Sequence, residues 1–221
     1  MIKIISFDLD NTLVTSKFAD LVWLEGLPKI YSLEKNVSFD EAKTTLMKAY
    51  DDIGEDRIEW YDLQYWFDRY NLVNDWRKLL DKYRHDISLF PEVKEVLDRL
   101  SKKFELAIIT NAKREFISII LNQTNIKLYF NHIFSSTSDF HGVKKTKNFY
   151  KLILEQLGIS NNEIMHIGDH ENFDVAIPQS LNILSYHLDR NNKRNGNNVV
   201  HDLREFEIKV IEKIKNNYVG F

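Results

Sequence analysis

Two aspartates one residue apart, Asp8 and Asp10, close an apolar run in the stretch FDLDNT at residues 7–12. A buried carboxylate is costly without a cation, and two neighbours resist joint ionisation, so the pair calls for a chemical role. On an extended chain, residues two apart point to the same side, which lets both carboxylates address one ligand. A hard divalent cation would relieve their repulsion, and an oxygen-rich site without cysteine suits Mg²⁺.

Three later stretches carry matching chemistry. AIITN ends with Thr110 and Asn111, whose hydroxyl and amide could hold an anion; the same residues are also ordinary helix caps. HIGDHENFD places Asp169 and Asp174 after another apolar run, although Asp174 also reads as an acid at a helix N-terminus. Lys144 and Lys145 follow the run ending in FSS and could supply a fixed positive charge, or simply be solvated.

The elements that must position these groups are short and apolar. Residues 2–7, 106–110, 132–136, 164–168 and 182–188 read as buried parallel strands. Between them, 93–100, 116–123, 149–157 and 206–214 show helical spacing, so the expected fold is α/β, a parallel sheet with helices on both faces. In such sheets ligands bind beyond the carboxyl ends of the strands, where every candidate residue falls. Residues 15–88 break the rhythm with four helical patterns (18–33, 40–52, 57–70 and 74–84) and hold all four tryptophans. They are expected to form an inserted helical cap, leaving 1–14 and 89–221 as a Rossmann-like core. The cap's aromatic rings are expected chiefly to be its own core, with a minority lining a pocket. The asparagine-rich stretch 189–198 reads as a solvated loop.

Composition narrows the partners. The chain has 221 residues, 43% of them hydrophobic, and a formal net charge of −3. It lacks the basic excess that nucleic acid or an anionic membrane attracts, so a small molecule is the expected partner. The absence of cysteine excludes a thiol nucleophile and a thiolate metal site. No apolar stretch is long enough for a membrane span or a signal-peptide core, and the expected compartment is the cytoplasm. Oligomeric state is not readable.

Taken in order, DxDxT, TN, lysine and GDxxxxD, each after an apolar strand, resemble the haloacid dehalogenase superfamily of phosphatases. The resemblance runs from Met1 to about His187 through FDLDNTL, LFPEVKEVLDRLSKKFELAIITNA, YFNHIFSS, KKTKNFYKLILEQLGI and EIMHIGDHENFDVA. The insertion after the first motif is similar to the cap of the phosphoglycolate-phosphatase-like branch. The resemblance implies that Asp8 is the nucleophile, forming an aspartyl-phosphate, and that Asp10 is the acid and then the base. It implies Mg²⁺ on the Asp8 side chain, the Asp10 carbonyl and Asp169, with Asp174 in support. Thr110, Asn111 and a lysine would bind the phosphate oxygens of a small phosphorylated substrate.

Several positions depart from the family pattern. The usual proline after the lysine is missing in GVKKTKNFY, so the choice falls on Lys144 by counting back from Gly158, with Lys145 as the alternative. Phe173 stands where asparagine is common, Pro178 falls where a helix should be finishing, and Asn11 replaces the commoner glycine in a turn whose unusual backbone angles asparagine tolerates. The second aspartate of the first motif disfavours dehalogenation. A phosphomutase or a non-catalytic phosphate-binding protein of the same fold are the alternative functions. The cap, slightly acidic and aromatic, mildly disfavours large polyanions, and it is expected to open and close over the site.

Overall fold

The computed structural model describes residues 1–218. After β1 (Ile4–Phe7) come α1 (Lys17–Asp20), α2 (Leu27–Lys35), α3 (Phe39–Ile53), α4 (Leu63–Arg69) and α5 (Trp76–Tyr83). Then α6 (Val93–Ser101), β2 (Glu105–Thr110), α7 (Arg114–Thr124), β3 (His132–Ser135), α8 (Ser136–Asp139) and α9 (Lys147–Leu157) follow. The chain closes with β4 (Ile164–Gly168), α10 (Ile177–Gln179), β5 (Leu184–Leu188), β6 (Val199–Val200) and α11 (Leu203–Tyr218). The strands form one sheet in the order β3-β2-β1-β4-β5-β6. Every pairing is parallel, as in an α/β Rossmann-like core.

Period-two alternation divides the sheet's apolar residues between two faces. Ile5, Phe7, Leu106 and Ile108 join one cluster with Val96 of α6, Ile117 of α7 and Phe206 of α11. Ile4, Ala107 and Ile109 join the other with Phe149, Tyr150 and Ile153 of α9. Burial on both faces is why these strands are near-continuous apolar runs rather than alternating ones. Threonine and asparagine bound the covering helices: Thr146 caps the start of α9 by accepting from the Phe149 amide, and Asn125 closes α7 in the left-handed conformation at φ 58°.

The helical segment between β1 and α6 leaves and re-enters the core through two adjacent strands of chain. Val14 bridges Leu89 in antiparallel fashion, the Thr15 amide donates to the Ser88 carbonyl at 3.0 Å, and the Phe90 amide to Leu13 at 3.1 Å. α1 runs into α2 through a π-helical turn, Leu21–Gly26. Gly26 lies where a Cβ would approach Leu79 Cδ1 to 2.3 Å and Tyr83 Cε2 to 2.6 Å, so any larger residue would have to displace these α5 side chains. The aromatic residues serve both purposes expected of them. Trp66 and Trp76 are buried, while Trp23 and Trp60 are half-buried and line a cavity shared with the core. Trp23 stacks on Phe116 of α7 at 5.9 Å with the rings 6° apart, so helical segment and core meet through aromatic faces.

Two expectations need correction. Val199–Val200 adds a short sixth strand at the sheet edge, paired to β5. The stretch 189–198 is not simply a solvated loop: Asp189 is buried, and Arg190 donates to the Asn11 carbonyl at 3.1 Å, the Thr12 carbonyl at 2.6 Å and Glu92 at 2.8 Å. Those contacts hold the turn that follows Asp10. Pro178 is accommodated in α10, which follows a π-helical turn, Glu171–Ala176.

Candidate active site

Asp8 is the first residue past β1, and its amide donates to the Ile167 carbonyl at 2.9 Å, which locks it beside β4. The chain then turns sharply through Asn11 in the left-handed region, φ 55°, a conformation asparagine adopts at little cost. Asp8 is buried and Asp10 half-buried, and both line a cavity of about 430 Å³ that also touches Thr110, Asn111, Lys145, Asp169 and Asp174. The carboxyl ends of β1, β2 and β4 thus bring together six of the seven sequence-selected positions, with Lys145 completing the set in place of Lys144.

Thr110, the last residue of β2, is buried, and its hydroxyl accepts from the Ala112 amide at 3.1 Å. Asn111 accepts from the Ser136 hydroxyl through Oδ1 at 2.8 Å, and its amide nitrogen makes no hydrogen bond among the described residues. Hydroxyls supply the support: Ser135 Oγ donates to the Ala112 carbonyl at 2.7 Å and Thr137 Oγ1 to the Asn111 carbonyl at 3.0 Å.

The lysine selected from sequence, Lys144, points elsewhere. Its Nζ meets Glu55 at 2.9 Å and Asp56 at 2.6 Å on the helical insertion. Lys145 Nζ is the one that reaches Asp8 Oδ1 and Asp174 Oδ1, each at 2.5 Å, and donates to the Ile109 carbonyl at 3.1 Å. The cause is local backbone geometry. The Thr146 amide donates to the Lys144 carbonyl at 2.8 Å, a three-residue turn centred on Lys145, so consecutive lysines leave the chain on opposite sides before α9 begins. A count back from Gly158 assumes helical register where none exists.

Asp174 is wholly buried, and both of its oxygens are engaged. Oδ1 accepts from Lys145 and from His166 Nε2 at 3.0 Å, and Oδ2 accepts from the His170 amide at 3.0 Å. Gly168 makes this approach possible, since a Cβ there would lie 2.3 Å from Asp174 Cγ. His166, buried within β4, also meets the Ser6 hydroxyl through Nδ1 at 2.9 Å, so a chain of polar groups runs Ser6, His166, Asp174, Lys145, Asp8 beneath the cavity. The sequence signal for His166 was present as the one polar residue inside the apolar run IMHIG, but strand periodicity alone gave it no partner. Arg190 had no such signal, being one cation in an asparagine-rich stretch.

Oxygens of Asp8, Asp169 and Asp174 lie within 4.8 Å of one another. Burial would push the Asp174 carboxyl up, but the ammonium of Lys145 and the imidazole of His166 outweigh it and hold it well below the usual range. Burial raises Asp8, with Lys145 opposing. Burial and the charge of Asp8 push both Asp10 and Asp169 from 3.8 up to about 7. One lysine therefore faces four carboxylates. An all-oxygen, over-acidic edge of this kind fits a hard divalent cation, and within the cluster of Asp8, Asp169 and Asp174 the second oxygen of Asp8 and the Asp169 carboxylate make no hydrogen bond among the described residues.

A family model for haloacid dehalogenase-like hydrolase matches residues 2–181. The chain belongs to this family. Among curated relatives, this haloacid dehalogenase-like hydrolase is 27% identical over 202 residues to a phosphoglycolate phosphatase of Aliivibrio fischeri, covering 85% of this chain and 84% of the relative. It is 28% identical over 190 residues to a glyceraldehyde 3-phosphate phosphatase of Pyrococcus abyssi, covering 79% of this chain and 76% of that one. Among solved structures, a HAD phosphatase from Thermococcus onnurineus superposes with a TM-score of 0.83 at 22% identity, covering 95% of this chain and 98% of the other. At that identity the superposition speaks for the fold. Among the described residues, no helix is long and apolar enough to cross a membrane.

Proposed function

We propose that this hydrolase is a Mg²⁺-dependent phosphatase that cleaves a small phosphorylated metabolite through an aspartyl-phosphate on Asp8. The observation that carries the reading is the state of the Asp8 carboxylate. One oxygen is fixed by Lys145 at 2.5 Å, while the other makes no hydrogen bond among the described residues, and Asp8 lines the cavity. An anchored carboxylate with one free oxygen is a nucleophile already held in orientation.

Asp10 is the proton carrier. A carboxyl poised at about 7 holds its proton often enough to give it to the leaving alcohol, and the resulting carboxylate can then take one from water. In the first half-reaction an oxygen of Asp8 bonds to phosphorus as the ester P–O bond breaks and the alcohol leaves with the Asp10 proton. In the second, water attacks the same phosphorus, Asp10 recovers a proton, and Asp8 is released with inorganic phosphate. Thr110, the Asn111 amide nitrogen and Lys145 would hold the phosphate oxygens throughout. Asp8, Asp169 and the Asp10 carbonyl would hold Mg²⁺, with Asp174 acting through Lys145. The ion would neutralise charge on the transferring phosphoryl group. Positioning and electrostatics of this kind account for most of the catalysis of phosphoryl transfer.

Residues 15–88 would act as a cap over this site, hinged at the paired segments around Val14 and Leu89 and latched by Lys113 on Asp62 at 2.5 Å and Lys144 on Glu55. The test is phosphate release from a panel of phosphorylated metabolites, with Mg²⁺ and with a chelator, for the native chain and Asp8→Asn. Mg²⁺-dependent release lost in the folded variant supports the reading; full activity in Asp8→Asn defeats it.

A further inference from the structure

The cavity above the phosphate end carries information about the alcohol that the phosphate is attached to. Its upper wall is built by the helical insertion from Trp23, Leu24, Met47, Tyr50, Trp60 and Tyr61. Trp23, Trp60 and Tyr61 are only half-buried within the chain and Met47 is 38% exposed, so part of this wall's apolar surface stays uncovered among the described residues. A volume of about 430 Å³ falls in the range that takes a ring-sized ligand rather than a two-carbon acid.

The charges on the same wall are one-sided. Asp20, Asp51 and Glu55 line it. Among the described residues Asp20 and Asp51 have no ion-pair partner, and Glu55 shares Lys144 with Asp56. Among the described residues two lysines, Lys113 and Lys145, and one histidine, His170, line the cavity, and both lysines are committed, Lys113 to Asp62 and Lys145 to Asp8 and Asp174. A phosphate can be received at the lower end with the help of Lys145, Thr110 and a metal ion. A second anion at the upper end would face Asp20 and Asp51, which have no ion pair among the described residues, and a Glu55 already paired with Lys144. A positive charge there would meet aromatic faces and carboxylates together, the combination that attracts organic cations.

We infer that the substrate is the phosphate ester of an aromatic alcohol carrying a cationic nitrogen, not of a hydroxy acid. The inference rests on the phosphatase reading of the same site. It also separates this chain from its phosphoglycolate phosphatase relative, whose named substrate carries a carboxylate.

The test uses a matched pair with the same phenolic leaving group: O-phosphotyramine, ending in an amine, and the phosphate ester of 3-(4-hydroxyphenyl)propionate, ending in a carboxylate. Phosphate release by the full chain with Mg²⁺ gives kcat/KM for each. Quenching of tryptophan fluorescence gives the affinity of each for the Asp8→Asn protein, which needs no turnover. A preference for the amine of about tenfold or more in both readouts is expected, shrinking at least about threefold in Asp51→Asn/Glu55→Gln. Equal handling of the pair, or preference for the carboxylate, overturns the inference. Amine-selective binding without phosphate release from either compound would keep the cavity's preference for a cationic ring but remove the phosphatase reading, and with it the assignment of that ligand as a substrate. Release without selectivity would do the reverse.

Discussion

Replacing Lys145 by methionine isolates the charge at the centre of the site, because the side chain keeps most of its length and loses only the ammonium. Two carboxylate oxygens lie 2.5 Å from that ammonium. At an effective dielectric near 20, each contact is worth roughly 7 kcal/mol of gross Coulomb energy. Desolvating three charged groups offsets most of this. What the variant loses is the net figure for breaking a buried pair, about 3–5 kcal/mol, because Asp8 and Asp174 are left facing each other uncompensated. Lys144→Met is the internal control. Its partners Glu55 and Asp56 are 59% and 85% exposed, so it should cost no more than about 1 kcal/mol. Urea unfolding of both variants in chelator measures the difference, and added Mg²⁺ should restore part of the loss in Lys145→Met only. Should Lys145→Met prove as stable as the native chain, or Lys144→Met the more damaged of the two, the charge arrangement described for the site would be wrong.

Other outcomes follow from the same arrangement. His166→Leu removes a donor from Asp174 and a partner from Ser6, and should lower stability by about 1–3 kcal/mol and slow phosphate release; thermal unfolding and turnover unchanged from native would rule out its bracing role. In metal-free protein, Asp10 and Asp169 bind protons more tightly folded than unfolded, so between their ordinary value of 3.8 and about 7 stability should fall as pH rises. Asp174 works the other way, its contribution being lost only as pH drops through 3.8 and below. Melting temperatures in chelator should therefore decline from about pH 5 to pH 7 and flatten with Mg²⁺, and a rise over that interval in chelator would contradict the assignment.

How much of this was legible in the sequence depended on the length of the signal. The five longer strands stood out because burial on both faces leaves uninterrupted apolar runs, whereas the two-residue β6 pairs only Val199 and Val200 and carries no period. The aspartates, Thr110 and Asn111 were legible because each ends such a run, so strand direction alone delivers them to one edge of the sheet. Lys145 was not chosen because a hydrogen bond between Thr146 and Lys144 sets which lysine turns inward, and no apolar pattern records that turn. Arg190 was hidden for a related reason: its value lies in two backbone carbonyls at Asn11 and Thr12, 179 and 178 residues away along the chain. The tryptophans could not be sorted from composition, since Trp66 and Trp23 belong to the same helical segment yet one is core and the other lines the cavity.

The central claim is that Asp8 carries the phosphoryl group, and trapping that state tests it most directly. In Asp10→Asn, a substrate with a good leaving group such as 4-nitrophenyl phosphate labelled with ³²P should still phosphorylate the protein, while hydrolysis lacks its base. Rapid acid quenching should then recover label on the protein, stable in acid and released by hydroxylamine, mapping to the peptide that contains Asp8. No label in Asp10→Asn together with continued phosphate release, or label that persists when Asp8 is also replaced by asparagine, would contradict the account.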